Sequence, residues 1–182
     1  MKTMKSTKTL EMIYIALFAV IIAICSWISI PFAVPFTLQT FAIFAAVGLL
    51  GGKRGSFAVI VWMLLGAIGV PVYAGFSSGL GSLFGSTGGY ILGFLLIGVI
   101  YMIITKILGT STIVMVISML IGLIACYTFG TIWFVMVYTK TSGAIGIATT
   151  LSWCVLPFVI PDLIKMALAI VLTKRLSRYV EL

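Results

Sequence analysis

PFVIPDLIKMALAI, Pro157 to Ile170, holds an aspartate and a lysine three residues apart inside an otherwise apolar run. On a helix, Asp162 and Lys165 share a face. An ionisable side chain at membrane depth is costly and rare, and it marks a ligand site or ion path by default. The flanking sequence puts the pair at that depth. The chain has 182 residues, 63% hydrophobic and 8% charged, with a mean hydropathy of +1.34. Soluble domains carry about 25% charged residues. This composition predicts an all-α integral membrane protein.

A spanning helix needs about 20 apolar residues, so the chain has room for six or seven spans and little else. One domain, residues 1–182, is expected, without a soluble catalytic or ATPase unit. The first apolar run is too long for a cleavable signal peptide and has no small-residue cleavage site after it. The net charge of +8 fits basic residues gathered on the cytoplasmic side and does not require nucleic acid. Cys25, Cys126 and Cys154 lie in apolar runs without CxxC spacing, which argues against a disulfide framework or a metal site. There is no histidine, the commonest general base and metal ligand.

The apolar pattern predicts spans over about Leu10 to Ile30, Thr37 to Leu50, Ser56 to Val70, Tyr90 to Ile107 and Ile113 to Tyr138. A last helix starts near Pro157 to Pro161 and runs to about Lys174. The uncharged stretch from Thr141 to Ile160 is long enough for a seventh span. Charge parity opposes that reading. Six spans with Lys2, Lys5 and Lys8 inside also put Lys53, Arg54, Lys106, Lys174, Arg175 and Arg178 inside, and leave only Lys140 outside. A seventh would export the basic tail, against the positive-inside rule. Six spans with both termini cytoplasmic are therefore expected, with 141–160 a partly helical outer loop. Between the third and fourth spans, Gly75 to Gly89 is too rich in Gly and Ser for a confident helix. Irregular backbone at this depth must cover or line a protein cavity.

Several residues are candidates for chemistry. Pro161 suits a first helical turn, which puts Asp162 near a helix amino terminus, where negative charge is favoured. Either Asp162 caps that helix and Lys165 neutralises it, or the pair binds a small polar ligand; a bare cap has no need of the lysine. Thr37 and Gln39 sit in a bent entry between Pro31, Pro35 and the second helix. They either meet a ligand or satisfy freed backbone groups. GLGSLFG, Gly79 to Gly85, fits neither a Walker loop nor GxGxxG. It reads instead as a loop bringing backbone amides and Tyr73, Ser77, Ser78 and Tyr90 to a ligand. Ala16, Ala19 and Ala23 form a small-residue stripe for close helix approach, inside the protein or against a partner. Trp27, Trp62 and Trp133 read as membrane-interface anchors; Trp153, on the outer loop, is a candidate ligand contact.

Three stretches, PFTLQTFAIFAAVGLLGGKRG (Pro35 to Gly55), PVYAGFSSGLGSLFGSTGGYILGF (Pro71 to Phe94) and PFVIPDLIKMALA (Pro157 to Ala169), together resemble the BioY family. Its members are biotin-specific substrate-binding components of energy-coupling factor (ECF) vitamin transporters. The resemblance spans nearly the whole chain. It implies six helices with cytoplasmic termini in the cell membrane. It implies biotin as the transported ligand, bound by Asp162 and Lys165 with the loop around Ser78 contributing, and no cofactor. It also implies a transmembrane coupling subunit, facing Ala19 and Ala23, and two ATPase subunits. Ser86 stands where the family more often has proline, and Pro161 where glycine usually precedes the aspartate. Those departures touch loop geometry more than substrate class. Biotin suits the residues: its ureido group matches Asp162, and Lys165 meets either the ureido carbonyl or the carboxylate. Three other readings stand beside this one: the same scaffold for another vitamin, a small intramembrane enzyme, or an ion channel. The enzyme lacks histidine and has only three acidic residues for acid–base work.

Overall fold

The computed structural model describes residues 4–31 and 33–179. Lys2 therefore lies outside the described residues. The chain runs α1 (Met4–Trp27), β1 (Ser29–Ile30), β2 (Phe36–Thr37), α2 (Gln39–Ala67), a 3-10 turn (Ala74–Phe76), α3 (Gly79–Phe84), α4 (Gly88–Leu108), α5 (Thr112–Ser142), α6 (Ile147–Cys154) and α7 (Leu156–Leu176). Among the described residues, five helical stretches are long and apolar enough to cross a membrane, the last of them α6 and α7 together. This is an all-α membrane architecture with one short ribbon, in which Ser29 pairs with Thr37 and Ile30 with Phe36.

The second stretch is two arms. Gly51 interrupts α2 at φ 79, ψ 163, a region essentially reserved for glycine. Beyond it the chain doubles back. A Cβ on Gly55 would lie 2.8 Å from the Val47 Cα, whereas a straight helix separates residues eight apart by about 12 Å. The sequence expectation of separate helices on either side of GGKRG is what the bend produces. At the bend Arg54 pairs with Glu11 of α1 at 2.6 Å. Gly52 packs on Met102, and Gly48 on Thr173. The bend of α2, the end of α4 and the end of α7 thus meet at one pole, together with their basic residues.

Helix contacts are made through small residues, as expected where packing replaces water exclusion as the driving force. Gly93 sits against Cys126 and Gly122 against Ile97 across α4 and α5; Gly98 sits against Ser56 across α4 and α2. Ala19 and Ala23 are covered within this chain at 1% and 6% exposure, while Ala16 stays exposed.

Three tryptophans have a role different from the expected interface anchoring. Trp27 Nε1 donates to Pro71 O at 2.8 Å, Trp62 Nε1 to Val72 O at 2.9 Å and Trp133 Nε1 to Gly85 O at 2.9 Å. They tie down both ends of the Gly-rich segment 71–87. Trp62 is fully buried and makes no membrane-surface contact. The indoles of Trp27 and Trp62 meet carbonyls that have no backbone donor among the described residues, while Gly85 O also accepts from the Gly88 N–H at 3.1 Å.

The 141–160 stretch resolves into the end of α5, a short loop and α6. Val155, at φ −128 and ψ −59, then separates α6 from α7. Pro157 occupies the first turn of α7, and Pro161 lies inside the helix. The helix thus begins at the Pro157 end of the expected Pro157 to Pro161 range, and of the two alternatives for Asp162 the helix cap is the one this start excludes. Pro161 costs one intrahelical bond, and Asp162 is a mid-helix side chain.

Gly51→Ala should lower stability by about 1–3 kcal/mol, the strain of that backbone region. Its Cβ would meet nothing within 4 Å, and the same open space surrounds Gly81, whose φ is not positive. Thermal unfolding in detergent should therefore show a lower Tm for Gly51→Ala and an unchanged or higher one for Gly81→Ala. Equal Tm values would refute the strain assignment.

Candidate ligand-binding site

A cavity of about 220 Å³ lies between the start of α2, the segment 71–87, the start of α4, and the facing sides of α5 and α7. At its base are Asp162 and Lys165, 2% and 6% exposed. Lys165 Nζ lies 2.8 Å from Asp162 Oδ1 and donates to Thr37 O at 2.6 Å. It also stands 4.2 Å from the centre of the Phe36 ring, a favourable place for a cation. Asp162 gathers two further donors: Thr40 Oγ1 to Oδ1 at 2.8 Å and Tyr127 OH to Oδ2 at 2.6 Å. Charge-assisted bonds of this kind are the strong ones. They answer the desolvation of a buried pair, which Coulomb attraction alone does not always offset.

Counting donors and acceptors defines what remains. A carboxylate oxygen accepts at two positions, and an ammonium has three N–H groups. Oδ1 is filled by Lys165 and Thr40. Oδ2 holds Tyr127 and keeps one position. Lys165 spends two N–H groups on Thr37 O and Oδ1 and keeps one. The base of the cavity therefore presents one acceptor beside one donor.

The ribbon and the entry to α2 supply the next group. Thr37 Oγ1 donates to Gln39 Oε1 at 2.9 Å, and the Gln39 N–H donates back to Thr37 Oγ1 at 3.2 Å. This fixes the amide of Gln39. Among the described residues nothing accepts from its Nε2, and Gln39 lines the cavity. Of the two alternatives raised for Thr37 and Gln39, the local bonding within the bend is present, and it still leaves a donor toward the cavity.

Tyr73 and Tyr90 line the upper wall. Tyr73 OH donates to Met63 O at 2.7 Å. Tyr90 OH shares a hydrogen bond with Thr131 Oγ1 at 2.9 Å. Their rings face the cavity while their hydroxyls are used elsewhere. Each ring lies where a glycine leaves room: a Cβ on Gly66 would strike Tyr73, and one on Gly130 would strike Tyr90. Ile91, Phe94, Leu123 and Phe158 complete an apolar wall.

Seven of the expected residues, Thr37, Gln39, Tyr73, Ser77, Tyr90, Asp162 and Lys165, therefore line one cavity. Ser78 and Trp153 do not line it. Ser78 precedes α3, and its carbonyl accepts from Ser82 Oγ at 3.0 Å; Ser82, Ser86 and Thr87 line the cavity beside the expected Ser77. Trp153, on α6, is 41% exposed and meets Tyr138 edge-on at 6.2 Å. Thr40 and Tyr127, both bonded to Asp162, were not anticipated. Tyr127 had a signal: a phenol midway along a spanning helix needs a partner.

A sequence model of the BioY family matches residues 1–182. The chain is 34% identical over 172 residues to a probable biotin transporter BioY of Pyrococcus horikoshii, covering 93% of this chain and 98% of that one. It is 36% identical over 169 residues to the biotin transporter BioY of Thermotoga maritima, covering 92% and 96%. It also matches the crystal structure of the S-component for biotin from an ECF-type ABC transporter. The TM-score is 0.83 at 30% identity, over 97% of this chain and 95% of that one. With the match spanning every element that builds the cavity, this chain belongs to the BioY family.

Proposed function

We propose that the chain is a single-domain, membrane-embedded subunit that captures biotin for uptake, with Asp162 and Lys165 as the ligand's polar anchor. It acts in transport and carries out no chemistry on the ligand. The observation that carries the reading is the leftover bonding at the base of the cavity. One free acceptor on Asp162 Oδ2 beside one free N–H on Lys165 complements an edge that offers N–H next to C=O, as a ureido group does. Placing the ligand's carboxylate there would bring it against Asp162, and like charges at contact repel. Lys165 therefore meets the ureido carbonyl. The apolar wall takes the bicycle and valeryl chain. The carboxylate reaches the side formed by Ser86 and Thr87, since the hydroxyls of Ser77 and Ser82 already donate to Ala74 O and Ser78 O.

The two arms of α2 count as separate spans, giving six. The basic pole, with Lys53, Arg54, Lys106, Lys174 and Arg175, faces the cytoplasm under the positive-inside rule, which puts both termini inside the cell membrane. The cavity opens outward. Energy for release comes from a transmembrane coupling subunit and two ATPase subunits of an ECF module. The coupling subunit docks along α1. Because Ala19 and Ala23 are covered, its contact there centres on Ala16 and the exposed neighbours Met12, Val20 and Ile24.

Calorimetric titration of biotin into detergent-purified protein tests the anchor. Asp162→Asn should weaken binding by about 10–100-fold, since a hydrogen bond to a charged group contributes roughly 1.5–3 kcal/mol. Lys165→Ala leaves a buried carboxylate without its cation, so it should lose binding and also destabilise the fold by about 3–5 kcal/mol. Unchanged affinity in both variants sinks the site. Ligand analogues then test the orientation. Biotin with its carboxyl converted to an amide should bind more tightly than biotin methylated on a ureido nitrogen; the reverse order would place the carboxylate at Lys165. Displacement of biotin by thiamine, riboflavin or pantothenate would overturn the choice of vitamin.

A further inference from the structure

A second void lies directly behind the ligand cavity. It is a groove of about 550 Å³ between α5 and the α6–α7 stretch, with sides formed by Leu120, Ile124, Leu151, Val155, Val159 and Leu163. Its floor is Leu123 and Tyr127, and both of these also line the ligand cavity. Tyr127 is thus part of the partition between the two spaces. Both flanking stretches are long and apolar enough to span a membrane, so the groove opens toward hydrocarbon.

The hydroxyls around this groove are already committed within the chain. Thr128 Oγ1 donates to Ile124 O at 2.8 Å, Thr131 Oγ1 bonds Tyr90 OH, and Tyr127 OH donates to Asp162. No hydroxyl here calls for a polar occupant. An empty groove beside a spanning helix forfeits the dispersion contacts of its lining. The surrounding medium supplies a flexible, purely apolar filler at that depth. A folded partner would have to present a matching ridge to do the same.

We propose that one phospholipid acyl chain occupies the groove between α5 and α7 and, by packing behind Tyr127, holds the tyrosine hydroxyl on Asp162. The coupling rests on the reading of Asp162 as the ligand's acceptor. With the groove empty, the Tyr127 ring has room to swing outward. Oδ2 then loses its donor, the partition opens, and the carboxylate loses the orientation that leaves one acceptor position toward the ligand. Lipid and biotin therefore favour the same position of Tyr127, and each strengthens the other's binding.

The test uses the full chain, bilayer-extracted and then delipidated in a short-chain detergent, with palmitoyl-oleoyl phosphatidylglycerol as the added lipid. Native mass spectrometry should find one phospholipid retained per chain, and none in Val159→Trp, whose indole fills the groove. Delipidation should weaken biotin binding to the wild-type chain by about tenfold, within the usual range of such couplings, and added lipid should restore it. Val159→Trp should bind biotin equally with and without lipid. Ile124→Trp, from the opposite wall, serves if Val159→Trp does not fold. Lipid retained equally by wild type and filled variants overturns the site. A chain dimer that the filled variants dissociate overturns the choice of occupant. Loss of the lipid with no change in biotin affinity overturns the coupling. That last outcome is distinguishable from failure of the Asp162 reading, because Asp162→Asn is scored separately and leaves lipid retention intact.

Discussion

The rest of the structure depends on burying two opposite charges, Asp162 and Lys165, among spanning helices. Removing either partner from such a pair leaves an uncompensated charge, so the surrounding chain is organised to satisfy both. The partners come from distant elements. Thr40 belongs to the first turn of α2, Tyr127 to the middle of α5, and the Thr37 carbonyl and Phe36 ring to the ribbon. These groups can meet α7 only if α2 enters the membrane through a bend and α5 passes the opposite side. The ribbon, the bend and the packing around α7 therefore serve one electrostatic requirement.

Access to that pair is controlled by a cover fixed at its ends. Trp27 and Trp62 hold Pro71 and Val72, and Trp133 holds Gly85. Between these ties Gly75, Phe76 and Gly79 adopt positive φ. Phe76 is the one non-glycine residue among them, and it stacks on Trp27 at 5.1 Å. The floor of the cavity is rigid because its polar groups are mutually bonded. The roof is held by indoles at its edges and by few side-chain bonds in its middle.

What the sequence made legible follows from how far apart the interacting residues are. Asp162 and Lys165 stand out because their spacing is local and their cost in lipid is high. The break at Gly51 was visible in GGKRG, and Thr37 and Gln39 were visible in the proline-marked entry. Thr40 and Tyr127 were not, because their bonds to Asp162 cross 122 and 35 residues and leave no local period. Trp62 misled for the same reason: a fully buried indole anchored to a loop carbonyl and one at a membrane interface have the same local sequence. Two prolines compete for the start of α7, which the sequence left between Pro157 and Pro161, and the break at Val155 decides in favour of Pro157. Ser78 was expected in the cavity where Ser77 and Ser82 line it. The left-handed backbone at Gly75 and Phe76 turns the chain just before these serines, which alternation along an extended loop does not anticipate.

On the proposed reading of the site, the bonds that Asp162 and Lys165 make within the chain set its selectivity. A site that must order its own charges on binding loses affinity to that reorganisation. Here Lys165 and Asp162 are held by groups of the chain itself, and what they offer is the remainder: one acceptor and one donor, side by side. A ligand that brings two acceptors leaves Oδ2 unmet, and one that brings two donors leaves the ammonium unmet. Either mismatch strands a buried polar group, which costs more than a matched bond contributes. Discrimination at the base of the cavity thus comes from the donors already bound there. On that reading, Thr40 and Tyr127 take part in choosing the ligand by occupying the positions it is not allowed to use.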